Sequence, residues 1–362
     1  MPTLFDPVEM GALKLPNRIL MAPLTRGRAD KAAVPTAIMA DYYAQRSAAG
    51  LIISEATGIS REGLGWPYAP GLWSEAQVEG WKPVVAAVHA AGGRIVAQLW
   101  HMGRLVPESV SGMQPVSASA TRAPNKLHTY DGKQDPTEAR AVTVDDIARI
   151  LADYAAAARN AIAAGFDGVQ IHGANGYLVD QFLRDGTNLR TDDYGGPIAN
   201  RLRFMRDVVQ AVAGEVGIER TGIRLSPIGD SQGANDSDNA TLFTAAAAAL
   251  EALGVPWIEL REPGPHSTFR ASEEAAVSPA MRGVYSGKII LNRDYVGASA
   301  QDKLAEGVAD AISFGRPFIA NPDLVERIRR DAPLDQADVA TFYSRGPEGY
   351  TDYRTRPEQE AA

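Results

Sequence analysis

Gly168–Gly173 (GVQIHG) is a short, mostly apolar run between two long segments of helical character, Asp145–Ala164 before it and Asn200–Val216 after it. Seven other runs share that setting: Arg18–Leu24 (RILMAPL), Leu51–Ala56 (LIISEA), Arg94–Leu99 (RIVAQL), Thr221–Pro227 (TGIRLSP), Trp257–Glu262 (WIELRE), Lys288–Asn292 (KIILN) and Ala311–Arg316 (AISFGR). Runs rich in Ile, Val and Leu without regular polar alternation suit strands buried on both faces, as in parallel sheets. Helical patterns fill the gaps at Thr36–Ala49, Glu75–Ala91, Asn239–Leu253, Ser299–Ala309 and Pro322–Arg330. The sixth gap is the weakest, with Glu273–Tyr285 as a short or irregular helix. Thr143, followed three residues later by Asp146, approximates a capping box for Asp145–Ala164. Eight strands alternating with helices predict a single-domain (β/α)8 barrel over residues 1–362. An open doubly wound sheet is the alternative, but no G-x-G-x-x-G turn follows the first strand. Residues 1–17 are expected to close the barrel bottom as a small hairpin, and 332–362 to form a C-terminal extension.

The composition narrows the chemistry. Of 362 residues, 45% are hydrophobic and 22% charged, with a net charge of −8, the balance of an ordinary globular protein. No basic cluster suggests nucleic acid. No run approaches the roughly 18 apolar residues of a membrane span, and the N-terminus carries acids rather than a signal-peptide core, so the expected location is cytoplasmic. There is no cysteine, which removes disulfides, thiolate metal sites and iron–sulfur clusters. No metal site is expected.

In a barrel, residues just past the strand ends share one mouth, where barrel enzymes do their chemistry. The long stretches His101–Ala141 and Gly173–Pro197 both follow strands and would lie there as lids. His172, Asn175 and Tyr177 can direct two hydrogen-bond donors and an acidic hydroxyl into one pocket. Asn292, Arg293, Gly315 and Arg316 follow strands seven and eight, where barrels bind phosphate; arginines capping the barrel end would look the same. Gln98 and Arg224 read equally as ordinary buried polar groups, and Trp66, Trp100 and Tyr343 equally as core aromatics. A Schiff-base lysine at a strand end is missing, and only Glu55 and Glu262 could act as carboxylate bases, which leaves little for an aldolase- or isomerase-type barrel.

The chain resembles the old yellow enzyme family of FMN-dependent ene-reductases nearly end to end. The resemblance is carried by Leu4–Arg26 (LFDPVEMGALKLPNRILMAPLTR), Asp41–Ser60, Gly65–Ser74, Ala97–Arg104 (AQLWHMGR), Gly165–Gly196, Asn200–Phe204, Phe314–Leu324 (FGRPFIANPDL) and Phe342–Tyr353. It implies FMN across the barrel mouth, with Pro23, Leu24 and Thr25 along the isoalloxazine and Ala56 and Gln98 at its pyrimidine edge. Arg224 would sit near N1/O2, and Asn292, Arg293, Gly315 and Arg316 would hold the phosphate. It also implies NADPH or NADH as hydride donor, and ping-pong transfer from flavin N5 to an activated alkene such as an enone, enal, nitroalkene or maleimide. His172 and Asn175 would bind the substrate oxygen, Tyr177 would donate the proton, and Trp66, Trp100 and Tyr343 would shape the pocket. Thr25 stands where another branch has cysteine, which with the absence of cysteine excludes the iron–sulfur-containing relatives. The resemblance also allows a homodimer.

Overall fold

The structure, a computed structural model, describes residues 1–267 and 271–356. Residues 268–270, within the weak sixth gap, and 357–362, within the expected C-terminal extension, lie outside the described residues. Eight parallel strands close into a barrel: β1 (Ile19–Met21), β2 (Ile52–Gly58), β3 (Ile95–Trp100), β4 (Gly168–Gly173), β5 (Thr221–Leu225), β6 (Trp257–Arg261), β7 (Lys288–Asn292) and β8 (Ala311–Phe314). Pairing of Ile312 with Ile19 and of Met21 with Ile52 closes the ring, which excludes the open doubly wound sheet. The ring of helices comprises α1 (Ala37–Ala44), α2 (Glu75–Ala90), α3 (Val144–Ala163), α4 (Arg203–Val216), α5 (Asn239–Ala252), α6 (Ser278–Arg282), α7 (Gly297–Ala305) and α8 (Leu324–Arg329).

Local chemistry explains where these helices begin and stop. Thr143 and Asp146 form a full capping box: the Thr143 hydroxyl accepts from the Asp146 N–H at 3.1 Å, and the Asp146 carboxylate accepts from the Thr143 N–H at 2.8 Å. Helix α3 then buries Ile147, Ile150, Tyr154, Ala157, Ala158 and Ala161, one stripe at helical spacing. Helix α1 ends five residues before the expected Ala49. The chain must turn there so that the Gly50 N–H reaches the Ile19 carbonyl at 2.8 Å, while the Arg46 guanidinium turns inward to Phe318 O and Ile319 O. Helix α7 is shifted toward the N-terminus of its expected span, ending before Gly307, whose φ of +73° cannot continue a helix.

At the N-terminal ends of the strands, Val8–Met10 and Leu13–Leu15 form an antiparallel hairpin. Val8, Met10, Leu13 and Leu15 pack with Leu20, Leu51, Ile53, Val96, Trp257, Ile290 and Ala311 in one apolar layer. Residues 339–350 run back over the first loop as a strap. Arg26 donates to Phe342 O at 3.1 Å and to Gly349 O at 2.6 Å, Arg28 donates to Phe342 O at 2.8 Å, and Tyr350 stacks on Tyr42 with ring centroids 4.0 Å apart.

Candidate active site

Parallel register sets His172 beside Arg224, Gln170 beside Gln98, and Arg224 beside Glu259. From these pairs a hydrogen-bonded ladder crosses the upper barrel. Gln98 donates to Gln170 Oε1 at 2.7 Å, and Gln170 donates to Glu259 Oε2 at 2.8 Å. Ser313 donates to Glu259 Oε1 at 2.6 Å, and Arg224 donates to Asn292 Oδ1 at 2.6 Å. Asn292 in turn donates to Ser313 O at 2.9 Å. The Arg224 Nε lies 3.3 Å from Glu259 Oε2 yet has no aligned hydrogen-bond partner among the described residues. Every side chain of the ladder is buried. Removing such charges from water is tolerable because each is paired. Gln170, Glu259 and Ser313 were not singled out from sequence, because a polar residue inside an apolar run shows no partner until the register is known.

Where β4 ends, three rings form a corner. The Tyr177 ring stands edge-on to His172 at 4.8 Å and to Trp100 at 4.9 Å, and Trp100 lies nearly parallel to His172 at 6.3 Å. Burial, reinforced by the Arg224 charge next to it, pushes the His172 pKa well below its ordinary value, so the imidazole is neutral at physiological pH. The Ala174 N–H donates to its Nδ1 at 3.4 Å, which leaves the ring proton on Nε2. Asn175 holds a left-handed φ of +61°, its N–H donating to Ser226 Oγ at 2.8 Å. Its buried Oδ1 has no hydrogen-bond partner among the described residues, an orphaned acceptor that costs about 1–3 kcal/mol.

The remaining candidates lie in different settings. Pro23, Leu24 and Thr25 are half-buried just beyond β1, and Leu24 approaches the position a Gly315 side chain would take at 3.4 Å. Ala56 is buried and lies opposite Gln98. Arg293 is exposed and turns over Gly264, and Arg316 lies over the Phe342 ring at 5.9 Å. Trp66 packs with Tyr343 at 5.1 Å and with His128 at 4.7 Å; His128, in the lid after β3, was not anticipated. Tyr343 is 52% exposed, which excludes the core-aromatic alternative for it, whereas Trp100 is 1% exposed. Glu55 accepts the backbone N–H groups of Arg26 and Gly27, and Glu262 those of Val277 and Ser278. Both carboxylates therefore brace loops rather than serve as bases, which weakens the aldolase or isomerase alternative. Among the described residues no group of His, Asp and Glu is placed to hold a metal ion, and no helix is long and apolar enough to cross a membrane.

Comparison with known proteins agrees with this architecture. A sequence model of the NADH:flavin oxidoreductase / NADH oxidase family matches residues 3–335. The chain is 39% identical to 12-oxophytodienoate reductase 2 of Arabidopsis thaliana, over 97% of this chain and 95% of that one. It is 41% identical to the flavin oxidoreductase hxnT of Emericella nidulans, over 97% of each. Among solved structures, the old yellow enzyme homologue of Zymomonas mobilis superposes with a TM-score of 0.97 at 57% identity, covering 98% of this chain and 99% of that one. Morphinone reductase in complex with tetrahydroNAD superposes with a TM-score of 0.92 at 45% identity, covering 98% of each chain. A barrel matched from end to end at this identity leaves no room for a separate lineage: the chain belongs to the NADH:flavin oxidoreductase / NADH oxidase family and is an FMN-dependent, NAD(P)H-using reductase of the old yellow enzyme, or ene-reductase, type.

Proposed function

We propose that the enzyme reduces activated C=C bonds (enones, enals, nitroalkenes and maleimides) with NAD(P)H, alternating two half-reactions in one site. The observation that carries this reading is the corner of Trp100, His172 and Tyr177, in which a neutral imidazole and a phenol meet at 4.8 Å. Relatives that carry the names 12-oxophytodienoate reductase and morphinone reductase support it.

The donor set suits FMN. The Arg224 Nε is buried without an aligned partner next to a ladder of amides. Pro23, Leu24 and Thr25 are half-buried, and Gly315 has no side chain where it meets Leu24. In this reading Pro23, Leu24, Thr25, Ala56, Gln98 and Arg224 hold the ring system, and Asn292, Arg293, Gly315 and Arg316 the phosphate end. Asn292 shares its amide with Arg224 and Ser313, so it also holds Arg224 in place. Held there, FMN would supply the two-electron chemistry, carrying a hydride equivalent between NAD(P)H and the alkene β-carbon.

The chain's own residues do the rest. The His172 Nε2–H and the Asn175 amide donate to the substrate oxygen, polarise the conjugated system and receive the negative charge that develops there. Tyr177 gives its hydroxyl proton to the α-carbon, and water restores it. Trp66, Trp100 and Tyr343 bound the space in which the alkene lies.

An anaerobic visible spectrum of the purified protein tests this in one cuvette. Flavin absorbance should bleach with NADPH and return on adding 2-cyclohexenone. A protein that neither carries nor takes up FMN, or one whose colour does not return, would overturn the alkene reading. Tyr177→Phe should slow enone turnover by about 10²–10⁴-fold while bleaching by NADPH persists. Unchanged turnover would remove Tyr177 as the proton donor.

A further inference from the structure

Between Asn175 and Tyr177 lies a single glycine, and every polar atom of its backbone is held from the following helical turn, Leu178–Leu183. The Gly176 N–H donates to Asp180 Oδ2 at 2.8 Å, which fixes the peptide joining it to Asn175. The Gly176 carbonyl accepts from Gln181 Nε2 at 2.7 Å, which fixes the peptide joining it to Tyr177. Ser226 links the same carboxylate to the preceding peptide. It accepts the Asn175 N–H at 2.8 Å and donates to Asp180 Oδ2 at 3.5 Å.

Neither holding group is free to swing. Asp180 and Arg184 are both fully buried and paired at 2.8 Å, and Arg184 also donates to Ser226 O and to Asn239 Oδ1. Gln181 is equally buried, and its amide has all four hydrogen bonds made. Its two N–H groups reach Gly176 O and Met102 O, and its oxygen accepts from the Arg104 N–H and from Ser117 Oγ. The last three partners belong to the lid that follows Trp100, so one amide joins both lids. Two glycines sit where no side chain fits. A Cβ on Gly176 would stand 2.2 Å from Ser231 O, and a Cβ on Gly103 would stand 2.2 Å from Gln181 Oε1.

We infer that Asp180 and Gln181 are positioning residues for the proposed substrate-binding pair, setting the directions of Asn175 and Tyr177 through the two peptides of Gly176. This rests on the reading above that those two side chains face the substrate. Asp180 offers only acceptors to the donors around it, and Gln181 offers two donors and two acceptors in matching places. Isosteric replacement therefore separates hydrogen bonding from packing. Asp180→Asn turns a donor toward Gly176 N–H or Arg184, and Gln181→Glu turns a carboxylate toward two carbonyl oxygens.

The holoenzymes of Asp180→Asn, Gln181→Glu, Gln181→Leu and Ser226→Ala would be compared with wild type by hydrogen exchange over residues 172–183, by 4-hydroxybenzaldehyde binding, and by kcat/KM for 2-cyclohexenone. Exchange should accelerate and the aldehyde Kd rise by about tenfold, and kcat/KM should fall by up to about 10²-fold, with FMN still bound. Gln181→Glu should fare no better than Gln181→Leu. Wild-type exchange, Kd and kcat/KM alongside only a lowered melting temperature would overturn the inference. Ser226→Ala removes one link and leaves both Asp180 and Arg184 in place, and it decides the matter if the Asp180 variant does not fold. Should Tyr177→Phe retain full turnover while the other variants loosen the segment and weaken ligand binding, the proton-donor reading falls and the clamp stands.

Discussion

The two ends of the barrel are built from the same eight strands on opposite chemical plans. At the bottom, the hairpin and seven strand-borne or strand-flanking residues make a layer that includes Leu13, Leu20, Ile53, Val96 and Trp257, held by burial alone. Two residues up the sixth strand, Glu259 stands in a layer bonded in the order Gln98, Gln170, Glu259, Ser313, Asn292 and Arg224. The lower layer needs only the right volume. The upper one needs each donor to meet an acceptor, because an unpaired polar group there costs more than an apolar one. Both layers contribute stability, but the groups that can answer a ligand are concentrated above.

Breaking the upper layer should have the largest effect. Glu259→Leu leaves Arg224 buried beside no counter-charge and should lose about 3–5 kcal/mol in denaturant unfolding, with loss of FMN. A loss near zero would mean that water, rather than Glu259, compensates Arg224. Breaking the lower layer should cost less and leave the site intact. Leu13→Ala, at a position 3% exposed, should cost about 2–3 kcal/mol with FMN content and enone turnover unchanged. A fall in FMN content would show that the two ends are coupled.

The third prediction concerns protons at the upper end. Because burial and Arg224 depress the His172 pKa, the unfolded chain binds a proton near its ordinary value of about 6.5 that the folded chain refuses. This contribution is complete above that pH and is lost as the pH falls. Unfolding free energies measured from pH 5 to 7 should rise with pH by at most about 1.4 kcal/mol per unit from this group, and His172→Ala should remove that part of the slope. An unchanged slope would mean that His172 titrates normally. The smallest effect belongs on the hairpin surface. Lys14 and Glu9 lie 4.0 Å apart with side chains 85% and 74% exposed, and Lys14→Ala should change stability by no more than about 0.5 kcal/mol. A larger change would show that the hairpin depends on more than its apolar face.

The contrast between the two ends also explains what could be read in advance. All eight strands were legible, because apolar runs separated by helix-length gaps are a local pattern, and so was the start of α3 from Thr143 and Asp146. The contact of His172 with Tyr177 was legible because six residues of sequence contain both. The ladder was not, since Gln98 meets Gln170 across 72 positions and Gln170 meets Glu259 across 89. Only the register makes them neighbours. Helix α1 was overextended for a related reason: its alanines favour helix, but a backbone bond from Gly50 to β1 overrides that preference. His128 escaped notice because a histidine in a lid hairpin has no local mark of the Trp66 and Tyr343 rings it meets.

The strap over the first loop has a consequence for how the molecule comes to exist. Arg26 finds the Phe342 carbonyl 316 residues later and the Gly349 carbonyl 323 residues later. During synthesis, the Arg26 and Arg28 guanidinium groups must therefore wait for residues 342–349 before these bonds can form. Contacts this distant in sequence form late and slowly. The closing step of folding and the completion of the mouth are then one event, and a nascent chain halted short of the strap would carry a formed bottom layer beneath an unfinished mouth.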